Sequence, residues 1–115
     1  MNPYEKICRD FIVWCRPRLS LTGTIRVRLV NRDIQNGSQK TFGYFDPRTQ
    51  QIVVCIKDRH PTDVLRTLCH EIIHRKQSEF RELTAEDGIT GSDIENQANA
   101  LAGILLRLWN QEPEN

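Results

Sequence analysis

The segment from Pro61 to Ser78 constrains this chain most, because two separate patterns run through one helical repeat. Plotted on a helix, Val64, Leu65, Leu68, Cys69, Ile72 and Ile73 gather into one broad apolar face, which must pack against other structure. Pro61 suits the first turn of such a helix, where a missing N–H leaves no bond unmade. His70 and His74 fall away from the centre of the apolar face, four residues apart. That spacing sets them one turn apart on the same side, where two imidazoles can share a metal ion. Glu71 lies about 100° further round, close enough to reach a water on that ion without becoming a ligand. A surface helix that merely carries these side chains in solvent is the plain alternative, so the rest of the chain decides.

At 115 residues, with 38% hydrophobic and 27% charged side chains, the chain is expected to form one globular domain around a modest core. Sixteen Lys and Arg against fifteen Asp and Glu leave a net charge of +1. Such a field selects neither nucleic acid nor an anionic membrane. No apolar run approaches the roughly 18–20 residues that span a bilayer. Glu5, Arg9 and Asp10 interrupt the N-terminal apolar residues, so a secretory leader is not expected. Cys8, Cys15, Cys55 and Cys69 form no C-x-x-C pair and no zinc-finger spacing. Cys8 and Cys15 share a helix face with a rise of roughly 10 Å between them, too far for a disulfide. Buried, reduced thiols and a cytoplasmic location are the expectation.

Residues 3–16 read as an amphipathic helix on Tyr4, Ile7, Cys8, Phe11, Ile12 and Cys15, stopped by Pro17, with Trp14 covering a flank. From Thr24 to Val30 the period switches to two, with Ile25, Val27 and Leu29 inward and Arg26 and Arg28 outward, a half-buried strand. Asn31 to Lys40 is polar and turns at Asn36-Gly37. Thr41–Phe45 and Gln51–Lys57 read as two strands joined by the tight turn Asp46-Pro47-Arg48-Thr49, hence an antiparallel hairpin. Glu79 to Gly91 reads as a connection. A last helix from Ser92 to about Trp109 carries the stripe Ile94, Ala98, Leu101, Ala102, Leu105 and Leu108, and residues from Glu112 onward should fray. The expected class is α+β: an N-terminal helix, a small three-stranded, partly antiparallel sheet, the helix with the histidine pair, and a C-terminal helix.

Catalytic zinc usually takes three protein ligands and keeps one position open. No third histidine follows His74: Gln77 stands at the glycine position and Phe80 at the last histidine position of the extended H-E-x-x-H-x-x-G-x-x-H pattern. A carboxylate is therefore expected, and Glu95 on the last helix is the choice. Ser92-Asp93-Ile94-Glu95 also matches a capping box, which would turn Glu95 back onto its own helix. Asn99, one turn after Glu95, could accept the outer N–H of His70 or His74. Glu79, Glu82, Glu86, Asp87 and Asp93 are the reserve carboxylates, each read as a solvated charge. Tyr44 and His60 are candidates for contacting an oxyanion or substrate. An exposed strand edge near Gln51–Lys57 could pair with an extended peptide beside the metal. Arg26 and Arg28, with Arg16, Arg18 and Arg32, could form a nucleic-acid patch, although charges on the open face of a strand are generally solvated.

Three stretches, Tyr44-Phe45-Asp46-Pro47, Leu68-Cys69-His70-Glu71-Ile72-Ile73-His74 and Ile94-Glu95-Asn96-Gln97-Ala98-Asn99-Ala100, together resemble the minimal zincin core of the gluzincin group. Within that group the chain is similar to small ImmA/IrrE-type and related phage or bacterial metallopeptidases. The resemblance covers roughly residues 41–106. It implies one zinc ion (Zn2+) held by His70, His74 and Glu95, with Glu71 as the general base that takes a proton from the activated water. Similar proteins cleave proteins, in several cases repressors, so the implied partner is a protein or peptide substrate in a bacterial or phage-infected cytosol. The chain departs from ImmA/IrrE proteins in carrying no helix-turn-helix or sensor region, and in Glu-Ile-Ile where Glu-Leu-Gly is commoner. It also carries neither the zinc ribbon nor the third histidine of SprT-like proteins. A catalytically silent binding module on the same fold, and a nucleic-acid-associated protein using the Arg26/Arg28 face, are the competing expectations.

Overall fold

Among the residues described by the computed structural model, 2–80, 83 and 92–113, each helix begins where a polar side chain satisfies a free first-turn amide. Helix α1 (Pro3–Leu19) is capped by Asn2, whose side chain accepts from the Glu5 N–H at 2.8 Å. Helix α2 (Pro61–Gln77) is capped by His60, whose Nδ1 accepts from the Thr62 N–H at 3.1 Å. Helix α3 (Asp93–Asn110) is capped by Ser92, whose Oγ accepts from the Glu95 N–H at 3.1 Å.

Pro17 does not stop α1, contrary to expectation; the helix continues to Leu19 and ends on Ser20 in the left-handed region, φ 52°. Pro17 falls in the last turn, where it removes only the bond to the Val13 carbonyl, and Val13 lies at an exposed position open to water. The Ser20 and Leu21 amides both return to the Arg16 carbonyl and close the end.

The sheet follows the order β1 (Arg26–Val30), β5 (Gln51–Cys55), β4 (Gly43–Asp46). β1 runs parallel to β5, pairing Val27 with Ile52 and Leu29 with Val54. β4 runs antiparallel to β5, pairing Phe45 with Ile52. The turn between them falls where expected but closes one residue later than a four-residue turn: Gln50, at φ 60°, donates its N–H to the Asp46 carbonyl at 2.7 Å, and Asp46 Oδ1 accepts from the Arg48 N–H at 2.9 Å.

Two readings of the strands need correction. β5 is the central strand, so Gln51–Lys57 offers no free edge for a peptide; β4 and β1 are the edges. The Asn31–Lys40 stretch is also more than a connection. It contains β2 (Ile34–Asn36) and β3 (Gln39–Thr41), an antiparallel hairpin that turns through Gly37 at φ 66°. Ile34 joins Val30, Val53 and Cys55 in a small second core. This explains why β5 is buried on both faces.

The main core lies on the other face. Ile52 and Val54 of β5 meet Val64, Leu65, Leu68, Cys69, Ile72 and Ile73, the whole apolar face of α2. Cys8, Phe11 and Cys15 of α1 close one side. On α3 the buried positions are Ala98, Ala102, Leu105, Leu106 and Trp109, whereas Leu108, placed on the stripe from sequence, is 43% exposed. Trp109 turns the stripe because its ring packs edge-on to Phe11 at 5.2 Å and to Trp14 at 5.5 Å. Glu112 is not frayed: its carboxylate accepts from Trp14 Nε1 at 3.0 Å and from Arg18 at 3.3 Å. All four cysteines are free and buried. Burial pushes the Cys8 thiol up to about 11 and that of Cys69 to about 12. Most of the expected connection after Glu79, with Glu82, Glu86 and Asp87, lies outside the described residues.

Gly43 sets how closely α2 rests on β4. A Cβ there would stand 2.6 Å from Thr67 Cγ2 and 2.8 Å from the Val53 carbonyl oxygen, and the second of these cannot swing aside. Gly43→Ala should therefore destabilise the fold by about 1–3 kcal/mol, as overpacking does. Urea unfolding followed by circular dichroism would measure it; a neutral result would show that α2 can lift off the sheet freely.

Candidate metal centre

Helix α2 presents His70 and His74 on successive turns, and the first turn of α3 brings Glu95 against both. Glu95 Oε2 lies 3.1 Å from His70 Nε2, and Oε1 lies 2.7 Å from His74 Nε2. The two Nε2 atoms are 3.0 Å apart, with the imidazole planes crossed at 88°. His70, His74 and Glu95 form a group whose ligand atoms all lie within 4.8 Å of one another, close enough to hold a metal ion. Ligands at about 2.0–2.1 Å around a tetrahedral ion sit about 3.3 Å from each other. The two nitrogens, 3.0 Å apart, would have to separate by a few tenths of an ångström to reach that spacing.

Capping and ligation, opposed in the sequence, are compatible here. Ser92 caps α3 through the Glu95 backbone amide, which leaves the Glu95 side chain free to reach the histidines.

A residue outside the sequence expectation determines the chemistry of His74. Gln77, buried, donates from Nε2 to the Ile94 carbonyl at 3.1 Å and to Gln97 Oε1 at 2.7 Å. A carbonyl can only accept, so the Gln77 amide is oriented and its Oε1 must face His74 Nδ1, 2.7 Å away. His74 Nδ1 therefore carries the hydrogen, and in the neutral ring the Nε2 lone pair points at Glu95 and His70. Electron-rich atoms thus face one another at about hydrogen-bond distance. A hydrogen on His70 Nε2 or on the Glu95 carboxyl, or a metal ion at their centre, reconciles them. The available signal in the sequence was spacing: Gln77 follows His74 by three residues, one turn on the same face.

His70 is held below its ordinary pKa by burial and by the His74 charge, opposed by Glu95 and by a hydrogen bond with the Asn99 side chain. It is therefore neutral at pH 7, the state that ligates metals. Asn99 thus reaches His70, as its place one turn beyond Glu95 predicts. Glu71 is 7% exposed. Burial, then the Glu95 charge, pushes its carboxyl up to about 8. A divalent cation on the neighbouring ligands would pull it down again.

The remaining candidates stand elsewhere. Tyr44 pairs across the sheet with Val53, whose side chain belongs to the second core, so Tyr44 faces away from α2. His60 caps the start of α2, ten residues before His70, a rise of roughly 15 Å. Neither reaches the histidine pair. Glu79 pairs with Lys76 at 2.9 Å, and Asp93 is exposed.

Two outcomes follow. Gln77→Ala should lower metal affinity about 10–100-fold in a chelator competition, as loss of such outer partners does. Gln77→Glu, which keeps the acceptor, should recover most of it; unchanged affinity in Gln77→Ala would reduce Gln77 to a packing role. The second concerns the metal-free chain. The folded Glu71 pKa of about 8 exceeds its ordinary 4.5, so its stabilising contribution is full below pH 4.5 and is lost as pH rises through 8. Glu71→Gln should match the metal-free wild type in thermal midpoint at low pH and exceed it near pH 8. Parallel curves across that range would mean Glu71 ionises freely.

Set beside known proteins, the chain matches no family, and no curated protein or solved structure is detectably similar to it.

Proposed function

We propose that this chain is a zinc-dependent metallopeptidase of the gluzincin kind, cleaving peptide bonds in a protein or peptide substrate. The observation that carries the reading is the convergence of two His Nε2 atoms and the Glu95 carboxylate beside the buried Glu71. Two neutral nitrogens and one carboxylate oxygen are a borderline donor set that suits zinc better than the oxygen-preferring calcium or magnesium. Zinc, when bound, would act as a Lewis acid on the scissile carbonyl and lower the pKa of a water molecule to about 7.

The chain's own residues do the rest. Glu71 stands next to the ligand His70 but is not one of the three, so its carboxylate is free to take the proton from the attacking water. It then delivers that proton to the departing amine. Its burial keeps the site dry and its basicity near neutrality. Gln77 and Asn99 orient the two imidazoles. Edge strand β4 takes the place given to β5 from the sequence: Gly43 lies against Thr67, one turn before His70, so a peptide paired to β4 would run beside this helix. Among the described residues, no helix is long and apolar enough to cross a membrane. Four buried free thiols fit a reducing cytosol.

Native mass spectrometry of the full chain tests the metal, and cleavage of an unstructured protein such as casein tests the activity. Wild type should carry one zinc and cleave. Glu71→Gln should keep the zinc and lose cleavage by at least about 100-fold, the usual scale for a general base. Glu95→Ala should lose the metal. A Glu71→Gln chain that cleaves at the wild-type rate would end the assignment.

A further inference from the structure

The β1 edge of the sheet has a character of its own. β1 pairs only with β5 among the described residues, so its outer backbone groups have no strand partner there. Helix α1 packs on α2 beside β1. Between α1 and β1 lies an open cleft of about 600 Å³. Its lining includes Ile12 and Val13 of α1 with Ile25, Val27 and Leu29 along the strand. Val13 is 63% exposed there. Arg9 and Arg16 of α1 stand around these aliphatic side chains, and the acid Glu5 there has its carboxylate engaged by the Asn2 side chain at 3.3 Å.

We infer that the β1 edge and this cleft bind an extended segment of a partner protein in which acidic and aliphatic residues alternate. The argument is one of strand geometry. A strand added to β1 would satisfy its free N–H and carbonyl groups and present successive side chains to opposite faces. On the cleft side those side chains meet Val27 and Leu29 and must be aliphatic. On the other side they meet Arg26 and Arg28, both exposed, and must be acidic. The two arginines are two residues apart, roughly 6.6 Å along the strand, the same repeat as every second residue of the incoming segment.

The same features exclude other occupants. Two copies of this chain joined edge to edge would set Arg26 and Arg28 against each other, and like charges on an edge oppose such pairing. Single-stranded nucleic acid would use aromatic platforms, and no residue lining the cleft is aromatic. The site is independent of the metal centre, so it stands or falls separately from the peptidase reading.

The test is fluorescence anisotropy of the full chain with a short labelled peptide alternating glutamate and valine. Controls are a lysine–valine alternating peptide, a peptide of the same glutamate and valine content arranged in two blocks, and oligo-deoxythymidine. The alternating acidic peptide should bind, more weakly as salt rises, and should shift the backbone amide resonances of residues 26–30. The double variant Arg26→Glu/Arg28→Glu should weaken it by about tenfold or more. Val13→Asp, at an exposed position, should weaken it too while leaving the circular dichroism spectrum unchanged. No binding, equal binding of the blocked or lysine peptide, preference for the oligonucleotide, or insensitivity to both variants would each overturn the proposal.

Discussion

The structure depends on the contact between the end of α2 and the start of α3. That contact carries Glu95 to the histidine pair across twenty-one residues of sequence from His74, and Gln77 is its fastener. One primary amide joins three groups: the His74 ring, the Ile94 carbonyl and the Gln97 side chain. Because it is buried, its bonds must be made within the protein or lost without compensation from water. The geometry of the metal-binding group is thus tied to helix packing. Any shift of α3 along α2 would break a buried hydrogen bond as well as move Glu95 off the histidine pair.

Burial also explains the electrostatic character of the site. His70, Glu71, His74 and Glu95 crowd together in a poorly hydrated place, where burial disfavours the charged forms of His70 and Glu71 and the Glu95 charge raises the cost of ionising Glu71 further. A divalent cation there would favour the ionised carboxylates and would take both imidazoles in their neutral form. The Gln77 contacts restrict how the His74 ring could turn away from Glu95.

The sheet does different work on its two sides. Its inner face seats α2 through Ile52 and Val54, with Gly43 allowing close approach. Its outer face is closed in part by the β2–β3 hairpin over Val53 and Cys55. Making β5 central leaves β4 as one edge, where Gly43 lies against Thr67 of α2, and β1 with its two exposed arginines as the other.

How much of this was legible in advance follows from range. Helix periods, caps and strand alternation are set between near neighbours, so the His70–His74 pair, the Glu71 offset, the place of the turn after Asp46 and the apolar face of α2 could be read directly. Asn99 was legible as well, being one turn beyond Glu95. Pairing order could not be read: alternation in residues 51–57 is the same for an edge strand as for a central one, and only the arrival of β1 decided it. Tyr44 was misplaced for the same reason, since its face depends on register with Val53. Gln77 looked like a mismatch to a motif, because a polar residue on a helix is ordinarily solvated. By itself, the sequence determined the two histidines' shared face and the helices that carry them, through a repeat that needs no distant partner. The approach of Glu95 to the histidine pair, the orienting amide and the free edges were decided only by tertiary structure, because each is a contact between segments that the chain's local chemistry does not bring together.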